Sequence, residues 1–533
     1  MLRKHLAIIV MLLLIGALSL FLFGCGGDQA GNDQKPAAAA GAGQQQAEVI
    51  KLAGGDWGYP NPYTYYPRGP GSRKTALIFD GLVTVDAGEK VLPALAGDWQ
   101  AGGDGLSYTF QLRPGVKWHD GRPFTAGDVV FSYEYAKRYP PVSVIDFSGV
   151  KKMAAVDDRT VAIELDQPDP NFLTGLTGLK IIPRHIWEQV TDPLNFVAPE
   201  AAVGTGPYML TDYSKEHGTY RYEANEYFWG SKPRVKVIEF VPVSEDILAF
   251  EQGEIDRISV TPDILPRFEN NPEYRVMQYE TSWAYRLYFN MRQRPELADQ
   301  ALRQALAYAI DRRELVEKVE RGAAVAGNPG VLHPNNPLYN SGVPQYSCDR
   351  QKAQDLLAGL GYQDAGGGVR SNSRGEKLSF TLLADEGSAR LAELIKQQLA
   401  LTGMEVNVQV VDSKTRDARF LKGDFELCIN GSGGGEDLKE VTGVGQARAT
   451  STTAAVIGYQ NPEVDRLYAA QEQETDPDKR RQLMAELQQI VAEELPKLTL
   501  YYRNTLAVHR PAVYDGWSGE IYHHDSRINF VAD

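Results

Sequence analysis

Cysteine and histidine are scarce: the 533-residue chain holds three of the first and eight of the second. There is no C-x-x-C, and the only histidines close in sequence are the adjacent His523 and His524. Structural zinc and dithiol redox chemistry therefore have no ligand spacing to use. Beyond Cys25 only Cys348 and Cys428 remain, and spacing does not say whether they pair. Positive charge is in deficit too. Lys and Arg number 55 against 69 Asp and Glu, for a net charge of -14 and a pI near 5.2. That balance argues against nucleic acid or an anionic membrane surface as the main partner.

Catalytic signatures are also missing. The run Gly71-Ser72-Arg73-Lys74-Thr75 places Arg73 where a phosphate loop needs glycine before its lysine. Gly431-Ser432-Gly433 follows Asn430, which stands where a nucleophile elbow begins with glycine. The chain reads as a non-enzyme, and no cofactor or metal is expected.

What is present begins with a targeting segment. Arg3, Lys4 and His5 precede an apolar run that ends at Gly24-Cys25. A secretory signal over residues 1–24 fits this pattern, with a retained membrane helix as the alternative. Leu22-Phe23-Gly24-Cys25 resembles a lipobox, in which Cys25 is lipidated and becomes the mature N-terminus. The Gly-, Ala- and Gln-rich residues up to 47 read as a flexible tether. A chain of this length exceeds what one core sustains, so several domains are expected.

The stretch 77–137 organises the rest of the chain. Tyr108, Phe110 and Leu112 alternate with polar residues, the period of a half-buried strand. Val116-Lys117-Trp118 reads as a short return strand, Asp120-Gly121 as a tight turn, and Thr125 with Asp128 as a capping box opening a helix. Before it, 49–53 reads as a strand running into an aromatic loop of Gly and Pro over 54–71. The apolar spacing from Leu302 to Val319 predicts a helix. A strand over 378–383, a helix over 388–402 and a strand over 406–410 predict a crossover unit. Asp476-Pro477 opens a late helix, and 498–502 returns as a strand.

Several ordered motifs carry a resemblance: Phe79-Asp80-Gly81-Leu82, the run from Tyr108 to Gly121, Pro123-Phe124-Thr125-Ala126, Gly204-Thr205-Gly206-Pro207-Tyr208, Asn225 with Tyr227 and Trp229, and Arg303 with Leu306 to Asp311. In this order they resemble family 5 extracellular solute-binding proteins, the peptide- and nickel-type receptors of ABC importers. The resemblance implies an α/β, two-lobe periplasmic-binding-protein-like fold of type II, with the extra domain of the peptide-binding class and a ligand cleft between lobes. Carried over, residues 48–75, 180–276 and 498–533 form lobe I, 76–179 the extra domain, and 277–497 lobe II.

It also implies that the loop after the first strand reaches the ligand. Asp56, Trp57, Tyr59 and Arg68 are the candidates there, with packing of the loop onto the scaffold as the alternative. The crossing at 281–286 would be a cleft wall, where Trp283 and Tyr285 either line the site or pack the strand. Arg68 and Arg286 are suited to a ligand carboxylate. Peptide-binding relatives place a Trp and then an Asp-Tyr-x-x-Pro run after the Gly423-Asp424 strand, whereas this chain has Ser432 and a glycine run. Glu436 and Asp437 either supply the acidic partner from displaced positions or are solvated loop charges. The expected function is capture of a short peptide or similar zwitterion and its delivery to permease subunits. The protein would be a lipid-anchored monomer facing outside the cytoplasm. A metal-chelate receptor and a chemosensory lipoprotein are the alternatives.

Overall fold

Apolar residues in short β-branched and aromatic runs build three main sheets, and the strand Ala47–Ala53 anchors the first. It pairs in parallel with Val235–Val241 and with Arg257–Ser259. The sheet has seven strands in the order Arg275–Tyr279, Thr505–His509, Arg257–Ser259, Ala47–Ala53, Val235–Val241, Thr219–Ala224, Tyr208–Ser214. A second sheet of six strands runs Ala324–Ala326, Lys497–Arg503, Ala284–Phe289, Leu427–Ser432, Ser379–Asp385, Glu405–Val411. The last two are parallel neighbours joined by the helix Ala389–Ala400, as the crossover pattern predicts. The third sheet, four antiparallel strands between residues 96 and 165, carries its own core around Phe110, Trp118, Val129 and Ile163. This computed structural model describes residues 46–66, 70–86, 90–142, 147–169, 171–281, 283–364, 366, 368–433, 438–442, 453–474, 476–518 and 527–531. Gln44–Asp533 form one compact unit. No described helix is long and apolar enough to cross a membrane.

Local expectations meet the structure unevenly. The capping box is present: Thr125 N–H donates to Asp128 Oδ2 at 2.9 Å and opens the helix Ala126–Arg138. The other oxygen of Asp128 accepts from Arg184 N at 3.0 Å, tying that helix to the next segment. The return strand at 116–118 does not form. Gly115 (φ 74) and Gly121 (φ 83) turn the chain on either side, leaving a single bridge from Lys117 to Pro123. Trp118 instead packs edge-on against Phe124 at 5.8 Å.

The long helix expected from Leu302 to Val319 is two helices, Gln300–Ala309 and Arg312–Val319. The break lies at Asp311, whose carboxylate accepts from Arg313 N at 3.0 Å and Glu314 N at 3.1 Å, capping the second helix. The strand Lys497–Arg503, placed by the carried-over boundaries almost wholly in lobe I, lies between Ala284–Phe289 and Ala324–Ala326 in the six-stranded sheet. Its residues from Lys497 to Tyr502 are all buried, which suits an interior position with neighbours on both sides. The chain leaves that sheet only at Asn504. Cys348 is exposed, Cys428 is buried, and both are free thiols.

Candidate functional site

Strand direction decides where a ligand can sit. In the seven-stranded sheet, Ala47–Ala53, Val235–Val241, Arg257–Ser259 and Arg275–Tyr279 all end at one edge. In the six-stranded sheet, Ser379–Asp385, Glu405–Val411, Leu427–Ser432 and Lys497–Arg503 likewise share an edge. The chain passes directly between these two edges twice, from Tyr279 to Ala284 and from Arg503 to Thr505. Open α/β sheets bind ligands outside the carboxyl ends of their strands. Here the two carboxyl edges are joined by two short crossings. Those crossings are pinned to each other: Thr281 Oγ1 donates to Arg503 O at 2.7 Å, and Arg503 N donates to Trp283 O at 2.9 Å.

Asp56 and Trp57 stand just past the end of Ala47–Ala53, on the first edge. Trp57 N–H donates to the Tyr220 hydroxyl at 2.9 Å, and that hydroxyl donates to Gly58 O at 2.9 Å. Asp56 is exposed, and its Oδ1 accepts from Tyr213 OH at 3.1 Å and Gly58 N at 3.0 Å. Tyr59 points elsewhere. It is 7% exposed, donates to Ala198 O at 2.9 Å and packs edge-on against Tyr213. Burial, with Glu200 adding, pushes its hydroxyl pKa up to about 12. Tyr63 and Tyr65 are buried too, while Tyr66 is 44% exposed, so most of this loop's aromatics pack the scaffold. Arg68 lies outside the described residues.

The second edge brings four of the candidates together. Trp283 is 37% exposed and lies over Gly431, where a Cβ would come within 2.6 Å of the indole. Only glycine admits that ring. Tyr285, on the same face, is half-buried against Tyr501 at 5.4 Å. Arg286 points to the opposite face and is fully buried. Its Nη1 donates to Ser432 O at 3.0 Å and to Ser432 Oγ. Nearby, Glu440 accepts from Lys497 Nζ at 2.7 Å and Tyr288 OH at 3.2 Å. Burial alone would raise the Glu440 pKa, but the charges of Lys497 and Arg286, with hydrogen bonds from Lys497 and Ser432, hold it below its usual value. Arg286 and Ser432 thus belong to an ionic network beneath the edge. Glu436 and Asp437 lie outside the described residues.

Sequence reading missed several residues at this edge. Asp385 ends its strand, accepts from Ser388 Oγ at 2.6 Å and Ser413 Oγ at 3.0 Å, and pairs with Arg416 at 3.1 Å. The Asp-x-x-Ser spacing at a strand end was a readable capping signal. At the crossing, Glu320 accepts from Tyr501 OH at 2.8 Å and pairs with Arg503 at 3.4 Å. Their separation in sequence left no signal. Contacts also span the two lobes. Asp263 pairs with Arg321 and with Arg390 (3.5 Å), and Arg480 Nη2 ties the second lobe to the segment beside the four-stranded module by donating to Asn171 Oδ1 at 3.2 Å.

Several of the ordered sequence motifs, though not the one from Arg303 to Asp311, meet at a different place. Asp80 accepts from Thr205 Oγ1 and Trp229 Nε1, both at 2.8 Å, and pairs with Arg527. Gly204 N donates to His119 Nδ1 at 3.2 Å, and His119 Nε2 donates to Gly206 O at 3.0 Å. This knot fastens the four-stranded module to the seven-stranded sheet.

Comparison with known proteins agrees with this geometry. The model for bacterial extracellular solute-binding proteins, family 5 middle region, matches residues 90–440. The chain is 29% identical over 477 residues to Protein XP55 of Streptomyces lividans, covering 86% of this chain and 84% of that protein. It is 25% identical to the oligopeptide-binding protein AppA of Bacillus subtilis, covering 94% of each. The crystal structure of NikA from Brucella suis with Fe(III)-EDTA superposes with a TM-score of 0.78 at 24% identity, covering 90% of this chain and 99% of that one. A two-lobe α/β fold with a cleft between joined strand edges, and a family match over most of the chain, lead to one assignment: the protein belongs to family 5 of the bacterial extracellular solute-binding proteins, which serve ABC importers.

Proposed function

We propose that the protein is a lipid-anchored receptor that captures a short peptide or similar small zwitterion in the cleft and delivers it to a membrane permease. The observation that carries this reading is Trp283, an exposed indole held over Gly431 on one carboxyl edge, with Asp56 and Trp57 on the other. Closure would bring these groups around one small polar ligand, the indole supplying apolar contact and the polar groups orientation. AppA, a relative over nearly the whole chain, carries an oligopeptide-binding name. NikA holds a metal chelate, whose carboxylates resemble those of an amino acid in charge and size. Native mass spectrometry of protein purified from its own host separates these ligands. A bound peptide or zwitterion supports the reading, a bound metal chelate replaces it with the second, and an empty protein after gentle purification counts against both.

Anchoring through Cys25 rests on the lipobox-like Leu22-Phe23-Gly24-Cys25 and the tether behind it. Wild-type cells fed radiolabelled palmitate are expected to label the protein, and Cys25→Ala to abolish the label. Equal labelling of both, or membrane retention without label, contradicts the anchor.

A further inference from the structure

One flank of the cleft is bridged by charge. Asp263 stands shortly after the strand Arg257–Ser259, at the carboxyl edge of the seven-stranded sheet. Two arginines from the side of the six-stranded sheet converge on its carboxylate: Arg321 on Oδ1, and Arg390 Nη1 on Oδ2 at 3.5 Å. Among the described residues neither arginine has a second acidic partner, and no other group bonds the Asp263 side chain. All three side chains are roughly half exposed, within reach of water and salt. Both arginines also sit where local chemistry disfavours them. Arg390 lies in the first turn of the helix Ala389–Ala400, where the helix dipole opposes a cation. Arg321 follows the helix Arg312–Val319 with φ 47°, beside Gly322 at 85°, in a left-handed turn that suits glycine. That turn is fastened to the crossing, since Asn504 N donates to Ala323 O at 3.1 Å. Two local misfits that meet on one carboxylate across the cleft share one explanation, a function for the contact.

We propose that Asp263, Arg321 and Arg390 form a salt-sensitive latch that sets how tightly the cleft holds its solute without touching that solute. Opening about the crossings takes Asp263 away from both arginines and offers none of the three a replacement partner. The pairs therefore count only for the closed form. Exposed pairs are individually weak, so the latch biases closure and does not enforce it. A solute held in the closed form binds in proportion to how readily the lobes close, and the bias enters its Kd in that way. Salt is the control. Between about 0.01 M and 1 M the screening length falls from about 30 Å to about 3 Å, which removes most of the attraction. This inference rests on the receptor reading for the solute, whereas the closure equilibrium belongs to the free protein as well.

Calorimetric titration of wild type and Asp263→Asn, with the solute that native mass spectrometry identifies on host-purified protein, tests the latch at low and high sodium chloride. At low salt Asp263→Asn is expected to raise Kd about threefold to tenfold, the scale of two exposed pairs. At high salt the two proteins are expected to converge. A charged solute gives both the same dependence on salt, so the difference between them isolates the latch. Equal Kd values at low salt, or a loss of the same factor at both salts, overturn it, the second outcome marking a merely structural contact. Thermal melts of the free proteins serve as the folding control, and a misfolded Asp263→Asn is replaced by Arg321→Gln combined with Arg390→Gln. The two readings also fail separately. A solute bound equally by wild type and variant leaves the receptor standing without the latch. A protein that never carries solute fails the receptor reading, and scattering from the free protein then decides the latch. Wild type more compact than Asp263→Asn at low salt supports it, and identical curves overturn it.

Discussion

Asp80→Ala is expected to destabilise the protein by about 3 kcal/mol or more, near the cost of breaking a buried ion pair. The Asp80 side chain is 1% exposed, and it answers three donors from distant parts of the chain: Thr205, Trp229 and Arg527. Removing it leaves a guanidinium, an indole N–H and a hydroxyl facing a void, each with its own desolvation cost. Burial alone would raise the Asp80 pKa. The charge and hydrogen bond of Arg527, with the bonds from Trp229 and Thr205, outweigh it and hold the pKa below the usual carboxylate value. A depressed folded pKa contributes stability that is complete above the unfolded value of about 3.9 and is lost as pH falls through the folded one. Urea unfolding at neutral pH should show the large loss in Asp80→Ala. Acidification below about pH 4 should then narrow the gap between variant and wild type. A neutral Asp80→Ala, or a gap that widens in acid, contradicts the arrangement.

The same knot explains what was legible in the sequence. Phe79-Asp80-Gly81-Leu82, Gly204-Thr205-Gly206 and Trp229 read as family signatures, and the structure shows them holding a joint between the extra domain and the seven-stranded sheet. Such motifs reveal fold because the joint admits few substitutes: a carboxylate, a hydroxyl and an indole N–H must meet in one buried place. They say little of the ligand, whose proposed site lies at the two strand edges and away from this joint. Strands with clean alternation, such as Ser107–Leu112, and capped helices such as Pro477–Glu494 were readable from local chemistry alone.

Where reading fell short, the cause was competition between local signals or pairing at long range. Apolar spacing ran unbroken from Leu302 to Val319, yet the Asp311 carboxylate captures two backbone amides and starts a new helix. The strand Lys497–Arg503 was recognised but put on the wrong side of the lobe boundary. Its partners, Ala284–Phe289 and Ala324–Ala326, lie about 170–220 residues away, beyond any local signal. Tyr59 and Arg286 were singled out for their chemistry, and the structure packs one against Tyr213 and ties the other to Ser432. Trp283 was ambiguous between packing and cleft. Its place over Gly431 depends on the register of two strands, which pair Tyr285 with Gly431.

Closure on ligand binding is the second large expected effect. Among the described residues, ion pairs of Asp263 with Arg321 and Arg390 join the lobes, and Arg480 reaches Asn171 beside the four-stranded module. The Asp263 pairs are exposed, and exposed pairs contribute about 0–1 kcal/mol each. They are too weak to hold two lobes shut around an empty cleft, so the free protein is expected to open about the crossings at 279–284 and 503–505. A solute at a hundred times its Kd adds about 2.7 kcal/mol to the bound form, enough to shift that equilibrium and raise the melting temperature. Small-angle X-ray scattering, with and without the co-purified solute, measures this directly. The account predicts a smaller radius of gyration on saturation and a curve that matches the arrangement of lobes described here. A saturated protein whose scattering curve is unchanged from the free one contradicts it.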